Sequence, residues 1–482
     1  MISLATRLGS RAVLNTSLVM GASILSRLVA LVVVVRMATY LGPTDYGRYT
    51  SMVAYSALVS VLADFGLNTL YTREAARNPE QQPTFLGTLL AGKIPLAVLA
   101  TLVFSLVLAW SNLGDLAVPA AALLILTTYS SLLRNTFYAL GRLEFEAVAI
   151  LVETAIQAGG IILGARAHAG VAYFVGAYAV AYGFTVCYCL VVIGLFRMGG
   201  LRLAVDWRLL RSWLQLAFPF ALGSFLTNLY FKADVPILQH TQPFSEVGWY
   251  EFAYKPFEAL QFVPLAVQSV VYPLLGVYFR GRKDLLGPAY ERFFKVLVVL
   301  GWPLSVGTCL LTHPIGGIFH LYPQSEPALR ILSVAIVLLF ANSAFSAMLL
   351  ATDRQGLFAW TTGIAVVINI GLNLIVIPRF GYLAAASTTV ITEAAFSVLG
   401  WYFVGREFRL RWFRATWRVL LAGLLMGVVL VPFMHVRSFH LLALGVLCGG
   451  LVYLAALWLL RAVSREEMQL LIAGVRRRAQ DV

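Results

Sequence analysis

The residues in this chain with chemistry to offer are ionisable side chains set inside long apolar runs. Arg27, Lys93, Arg134, Lys255 and Arg330 bring positive charge there, and Asp64, Glu153, Glu251, Glu258 and Glu393 bring negative charge. A charge at membrane depth costs roughly 3 kcal/mol or more, so such residues face a polar cavity or pair with one another. Arg offers paired N–H donors and Lys a compact point charge, a combination suited to the oxygens of a diphosphate. Arg27, Lys93, Lys255 and Arg330 are therefore the candidate ligands of an anionic substrate in a cationic cavity. Asp64, Glu251 and Glu258 are the candidate carboxylates for a coupling ion. Ion pairing is the competing reading: Glu251 and Lys255 stand four apart in the order that favours a helical salt bridge. Arg134, Arg36 and Arg330, nearer span ends, can instead snorkel to headgroups. Arg27 has no acidic residue one turn away.

None of these residues forms a catalytic constellation, and no catalytic residue is expected. His168, His240, His313, His320, His435 and His440 fall at or beyond the outer ends of apolar runs, without metal-ligand spacing. Cys187, Cys189, Cys309 and Cys448 lie inside such runs and read as small hydrophobes, neither a disulfide framework nor a metal knuckle. No Gly-x-x-x-x-Gly-Lys-Ser/Thr phosphate loop occurs, so any driving force comes from an ion gradient or the membrane potential. No cofactor and no metal are expected. The net charge of +14 is assigned to loops at the membrane surface, and nucleic acid is not expected as a partner.

The elements that must position these charges are membrane spans. The 482 residues are 60% apolar and 12% charged, against about 25% charge in soluble chains. Apolar runs separated by polar breaks predict an all-α integral membrane protein with about fourteen spans. They lie near 13–38, 48–66, 86–110, 117–137, 146–165, 171–196, 211–231, 247–275, 291–311, 327–351, 357–377, 383–404, 415–434 and 440–460. Arg7 and Arg11 precede a run far longer than a signal-peptide core, so the first span is expected to remain in the mature protein. The connections are short, the longest external one being about 311–326, which leaves no room for an extramembrane catalytic domain.

The chain also repeats itself. Pro43, Gly47 and Tyr49 after the first span recur as Pro243, Gly248 and Tyr250 after the seventh. Arg142 and Gly170 around the fifth recur as Arg354 and Gly381 around the eleventh. The organisation expected is an N-terminal lobe over 1–197, a cytoplasmic linker over 198–211, a C-terminal lobe over 212–405, helices 13 and 14 over 406–463, and a cytoplasmic tail over 464–482. The two six-helix lobes would be related by pseudo-symmetry, with the substrate cleft between them. In span 8, Glu251, Lys255 and Glu258 share one face, and Pro256, Pro264 and Pro273 would kink or loosen the helix, as a bending element requires. Gly160 and Gly164 read as a close helix contact.

Arg36 is followed by Tyr40, Leu41, Gly42, Pro43, Thr44, Asp45, Tyr46, Gly47, Arg48 and Tyr49. Asp64, Phe65, Gly66 and Leu67 come next, then Thr72, Arg73, Glu74, Ala75, Ala76 and Arg77. These are echoed by Val247, Gly248, Trp249 and Tyr250 and by Ala253, Tyr254 and Lys255. With the fourteen-span plan, the sequence resembles the polysaccharide flippases of the MOP superfamily, which translocate undecaprenyl-diphosphate-linked O-antigen or exopolysaccharide repeat units. The resemblance implies a MATE-like pair of lobes, a cationic central cavity for diphosphate and sugar, and a groove beside spans 13 and 14 for the polyprenyl tail. It implies a place in lipopolysaccharide or exopolysaccharide biosynthesis at the bacterial inner membrane. The implied partners are a lipid-linked oligosaccharide substrate, membrane lipid, a polysaccharide polymerase and a chain-length regulator. The peptidoglycan-precursor flippases are less similar, since their N-terminal arginine motif is absent. The related drug antiporters have two spans fewer, yet a cation-coupled antiporter of the same superfamily is the alternative function.

Lys and Arg collect on one side of the predicted spans, at Arg73 and Arg77, Arg142, Arg280 to Lys283, Arg354 and Arg461, which places both termini in the cytoplasm. An alkaline phosphatase moiety fused after Arg461 should be inactive, and one inserted after His168 active; the reverse pattern would invert the topology.

Overall fold

The computed structural model describes residues 2–196, 198, 206–318, 322–408 and 412–462, with side chains from Ser17 onward except at 406–408 and 412–415. The expected tail over 464–482, residues 199–205 of the expected linker, and His320 lie outside the described residues. Among the described residues the chain is helical throughout, without a strand, and twelve helices are long and apolar enough to cross a membrane. Backbone groups in a bilayer core have no water to bond, so a lipid-embedded chain folds into helices that satisfy them internally.

Two of the twelve are too long for one crossing. Ser17–Asp64 has 48 residues and Gln355–Gly405 has 51, so each spans about 70 Å, more than twice the roughly 30 Å of a bilayer core. Each contains one break. In α1 (Ile2–Asp64) it is Gly42, at φ 72° and ψ 171°, a region open essentially to glycine alone. Pro43, lacking an N–H, follows where the helical ladder is interrupted anyway. In α14 (Gln355–Phe408) the break is Gly381, at φ 62° and ψ −146°, three residues after Pro378. Counting each as two crossings takes the twelve to the fourteen expected.

The chain divides into two compact units, one up to His240 and one from Thr241. The first contains α1, α2 (Leu67–Arg77), α3 (Gln82–Trp110), α4 (Ala117–Ala139), α5 (Leu143–Arg166), α6 (Val171–Leu195) and α7 (Trp207–Lys232). Its buried apolar side chains include Leu70, Leu89 and Phe137, with the rings of Phe85 and Trp213 centred 4.9 Å apart. Gly160 and Gly164 let α5 and α6 approach: a Cβ at either would press on Ala177 or the Tyr173 ring.

Between α1 and α2 the chain turns through Phe65 (φ 49°) and Gly66 (φ 73°). A Cβ on Gly66 would lie 2.7 Å from both the Ala217 carbonyl oxygen and the Ala221 nitrogen of α7. Backbone cannot yield there as a flexible side chain can. Gly66 is thus required both for its left-handed conformation and for the approach of α7.

After α8 (Asp234–Thr241), the second unit holds α9 (Phe244–Leu260), α10 (Phe262–Gly281), α11 (Lys283–Leu310), α12 (Thr312–Ile318), α13 (Ser325–Ala351), α14, α15 (Trp412–Leu430) and α16 (Phe439–Leu459). The eighth apolar run is interrupted at Gln261, separating α9 from α10. Pro264 has no N–H to return to Leu260, so the ladder fails where the prolines predicted a kink. Gly301 on α11 and Gly400 on α14 lie against Phe340 and Phe345 of α13, where a Cβ would clash. The break in α14 is capped across the unit: Glu246 Oε2 accepts the Tyr382 N–H at 3.0 Å, setting a carboxylate at the start of the second half-helix. The last two spans attach to α11, because Trp302 Nε1 donates to the Leu420 carbonyl at 3.0 Å and the Tyr453 hydroxyl to the Val299 carbonyl at 2.8 Å.

Gly66→Ala should lower the thermal midpoint of the detergent-solubilised protein several degrees more than Gly141→Ala, which shares a positive φ (67°) but has open space around its Cβ position. Left-handed strain alone costs about 1–2 kcal/mol, so equal shifts for the two variants would show that the α7 contact is not rigid.

Candidate functional site: charges and cavities of the two units

In the first unit, Asp64 is the last residue of α1. A carboxylate there meets the negative end of the helix dipole, so it needs a cation. Lys93 of α3 provides one: its Nζ lies 2.8 Å from Asp64 Oδ1 and donates to Asn68 Oδ1 of α2 at 3.0 Å. The Lys93 side chain is fully buried while Asp64 stays 29% exposed. The turn at Phe65 and Gly66 brings Asn68 beside the pair. Tyr71 holds α2 in place, its hydroxyl 2.9 Å from both Thr136 Oγ1 and Gln82 Nε2. Burial pushes that phenol above its ordinary range, keeping it neutral.

Asp64 opens onto a cavity of about 830 Å³, formed within the first unit and lined by Tyr49, Ser56, Ser60, Ser131, Tyr182 and Asn228 among others. Asp64 is the charged member of that lining. Several lining hydroxyls already donate to carbonyls of their own helices, Ser60 to Ala57, Thr127 to Leu123, Thr128 to Leu124 and Thr227 to Gly223. The lining thus combines hydroxyl and amide groups with one carboxylate, which suits a ligand rich in hydroxyl groups. A phosphate would bring negative charge beside Asp64, with no cation in the lining to offset it.

The candidate cations therefore divide. Arg27, in the first half of α1, is exposed. Arg330, on α13, is exposed and lines a separate cavity of about 650 Å³ in the second unit, together with Glu326, Cys309 and Val334. Glu326 is itself engaged by His313 Nδ1 at 3.1 Å. Lys255 lies between carboxylates of its own helix, 2.7 Å from Glu258 Oε2 and 3.4 Å from Glu251 Oε2. Glu251 is buried and Glu258 is 40% exposed, so this trio also keeps one side toward solvent. The i,i+4 pairing read from sequence is present, with a second carboxylate at i+3. Within the first unit the structure thus joins Lys93 to Asp64, and within the second it joins Lys255 to Glu251 and Glu258.

Arg134 does not reach for headgroups. Its Nε donates to the two Glu146 carboxylate oxygens at 3.0 and 3.1 Å, and its Nη1 lies 3.5 Å from Glu153 Oε2. Glu146 is completely buried and Glu153 8% exposed. Sequence reasoning missed this cluster because Glu146 sits at the start of α5 and reads as a loop-side acid. Its signal was the seven-residue spacing from Glu153, which puts both on one helical face. In the second unit, buried Asn342 was likewise missed: its Nδ2 donates to Glu393 Oε2 at 2.7 Å, and Ser397 donates to its Oδ1 at 2.7 Å.

Comparison with known proteins agrees with this architecture. A family model described as polysaccharide biosynthesis protein matches residues 12–279, and the MatE model matches residues 219–375. The probable low-salt glycan biosynthesis flippase Agl15 of Haloferax volcanii is 23% identical over 427 residues, covering 86% of this chain and 89% of that protein. An uncharacterized membrane protein of Methanocaldococcus jannaschii, MJ1068, is 23% identical over 229 residues, and the chain spans only 44% of its length. Among solved structures, the lipid II flippase MurJ in an inward closed conformation superposes with a TM-score of 0.74 at 15% identity, covering 91% of this chain and 98% of that one. An inward-facing multidrug resistance MATE family transporter of the MOP superfamily superposes at 0.64 with 13% identity, covering 80% of this chain and 94% of that one. The fold is thus the one those transporters share, and with a family model covering more than half of its length, the chain belongs to the polysaccharide biosynthesis protein family.

Proposed function

We propose that this protein is a flippase that moves undecaprenyl-diphosphate-linked oligosaccharide repeat units across the bacterial cytoplasmic membrane by alternating access, for O-antigen or exopolysaccharide assembly. The observation that carries the reading is membership of the polysaccharide biosynthesis family over residues 12–279. Agl15, named as a glycan biosynthesis flippase and alignable over most of the chain, supports it. The cavity of the first unit, lined by hydroxyls and amides with Asp64 as its charge, fits a sugar better than a phosphate. Exposed Arg27 and Arg330 offer donors for a diphosphate. A polymerase and a chain-length regulator receive the product. The break at Gln261 gives α9 and α10 a point at which to bend.

Lys93 and Lys255 take a different part. Each is already neutralised by carboxylates, so neither is a ready phosphate ligand. Their pairs leave Asp64 and Glu258 partly exposed, where a coupling ion has access. The match of residues 219–375 to the MatE model favours one second reading, a cation-coupled drug or metabolite antiporter.

Cells lacking the protein should accumulate undecaprenyl-diphosphate-linked oligosaccharide on the cytoplasmic face, and the wild-type gene should clear it. Arg27→Ala should insert normally and export about tenfold less, the loss expected when a charged hydrogen bond of roughly 1.5 kcal/mol is removed. Unchanged lipid pools together with altered sensitivity to cationic drugs would select the antiporter. Normal export by both Arg27→Ala and Arg330→Ala would remove the cationic diphosphate site.

A further inference from the structure

The cluster on Arg134 carries one more negative charge than positive. Glu146 occupies the guanidinium with both oxygens and is wholly buried, so those two charges cancel. Glu153 meets the same guanidinium only at 3.5 Å. Its other partners are the Thr185 hydroxyl, donating to Oε2 at 2.8 Å, and the Gln157 amide, donating to Oε1 at 3.5 Å. The helices packed against α5 bring these titratable or charged groups to the region: Arg134 and Tyr138 from α4, Tyr182, Tyr188 and Cys189 from α6, and Arg27 from α1. Arg27 adjoins Ser26, whose hydroxyl lies 2.6 Å from Thr154 Oγ1, and its own side chain is exposed. A surplus carboxylate charge at this depth is costly unless something neutralises it.

We propose that Glu153 is a reversible proton-binding site. The groups around it favour a proton over a metal cation, because they are donors and a guanidinium, whereas a cation requires converging oxygens. Thr185 lets both protonation states be satisfied. Its Oγ1 is 2.8 Å from Glu153 Oε2 and 3.2 Å from the Ala181 carbonyl oxygen of its own helix. With Glu153 ionised, the hydroxyl donates to the carboxylate. When a proton adds to Oε2, the new O–H donates to Thr185 Oγ1, and the Thr185 proton turns to the Ala181 carbonyl. One hydroxyl rotation thus accompanies uptake or release, and no buried donor or acceptor is stranded. Access runs from the polar cavity: Tyr182 lines it and lies beside Gln157, the partner of Glu153. The site does not depend on the substrate; its use as a coupling site in transport, beside Asp64 and Glu258, rests on the proposed function.

The test is an infrared pH titration of the full-length protein in lipid nanodiscs, which reads the protonated carboxyl stretch whether or not any glycan moves. A titrating band is expected that is absent from Glu153→Gln. Glu146→Gln frees Arg134 for Glu153, which should then stay ionised to lower pH, moving the midpoint down by at least about one unit, a tenfold loss of proton affinity. Thr185→Val should shift the band frequency and midpoint, and Thr185→Ser should restore both. A spectrum unchanged by Glu153→Gln, or a midpoint that moves when sodium is exchanged for choline, would overturn the assignment. A normal titration in a protein that exports nothing would leave the site standing and refute only the transport reading.

Discussion

The contact between Lys93 and Asp64 is the constraint on which the first unit depends. A fully buried ammonium that keeps its charge is held by a carboxylate partner, because removing either side leaves an uncompensated charge in a low-dielectric medium. The pair therefore fixes the end of α1 against α3. With Asn68 as third member it also fixes the start of α2, and so the sharp turn through Phe65 and Gly66. That turn decides where α7 can pack, since Gly66 lies against its backbone. The same ion pair leaves Asp64 looking into the polar cavity, so one interaction supports both the packing of four helices and the chemistry of the space between them.

Other charges in the spans follow the same rule with different outcomes. Lys255 meets two acids of its own helix, and Arg134 meets one acid fully and another partially. Arg330 and Arg27 keep exposed heads. The spans thus contain both buried ion-paired clusters and cations on exposed residues. A count of charges per apolar run does not distinguish them, because the distinction lies in which neighbouring helix presents the opposite sign.

That is also where the sequence stopped being informative. Span positions were legible, because an apolar run long enough to cross a bilayer has few other uses, and polar breaks mark its ends. The two merged helices of the fold were readable as four spans because Gly42 with Pro43, and Pro378 with Gly381, announce a break whatever surrounds them. The fracture at Gln261 was likewise encoded locally, in Pro256 and Pro264. The i,i+4 pair of Glu251 and Lys255 could be read for the same reason. Lys93 and Asp64 were read as separate agents, a substrate ligand and an ion-coupling acid, because 29 residues and a change of helix separate them. Arg134 with Glu146 failed at a span boundary, where a basic residue reads equally well as a headgroup anchor. Gly170 and Gly381 hold matching places in the repeat, yet only Gly381 has a positive φ, so the repeat preserves position and not conformation.

The attachment of the last two spans bears on how this chain can diverge. Trp302 and Tyr453 each bond to a main-chain carbonyl, at Leu420 and Val299. A carbonyl is present whatever residue occupies the position, so each joint demands a particular side chain on one helix and nothing specific on the other. Gly423 is the exception, because a Cβ there would collide with the Trp302 indole. The lipid-facing surfaces of α15 and α16 are thereby released to vary with the membrane or the cargo, while a tryptophan, a tyrosine and a glycine hold the two helices to α11. Mutational tolerance in this region should accordingly be lopsided, with Trp302, Gly423 and Tyr453 far less forgiving than the exposed positions of α15 and α16.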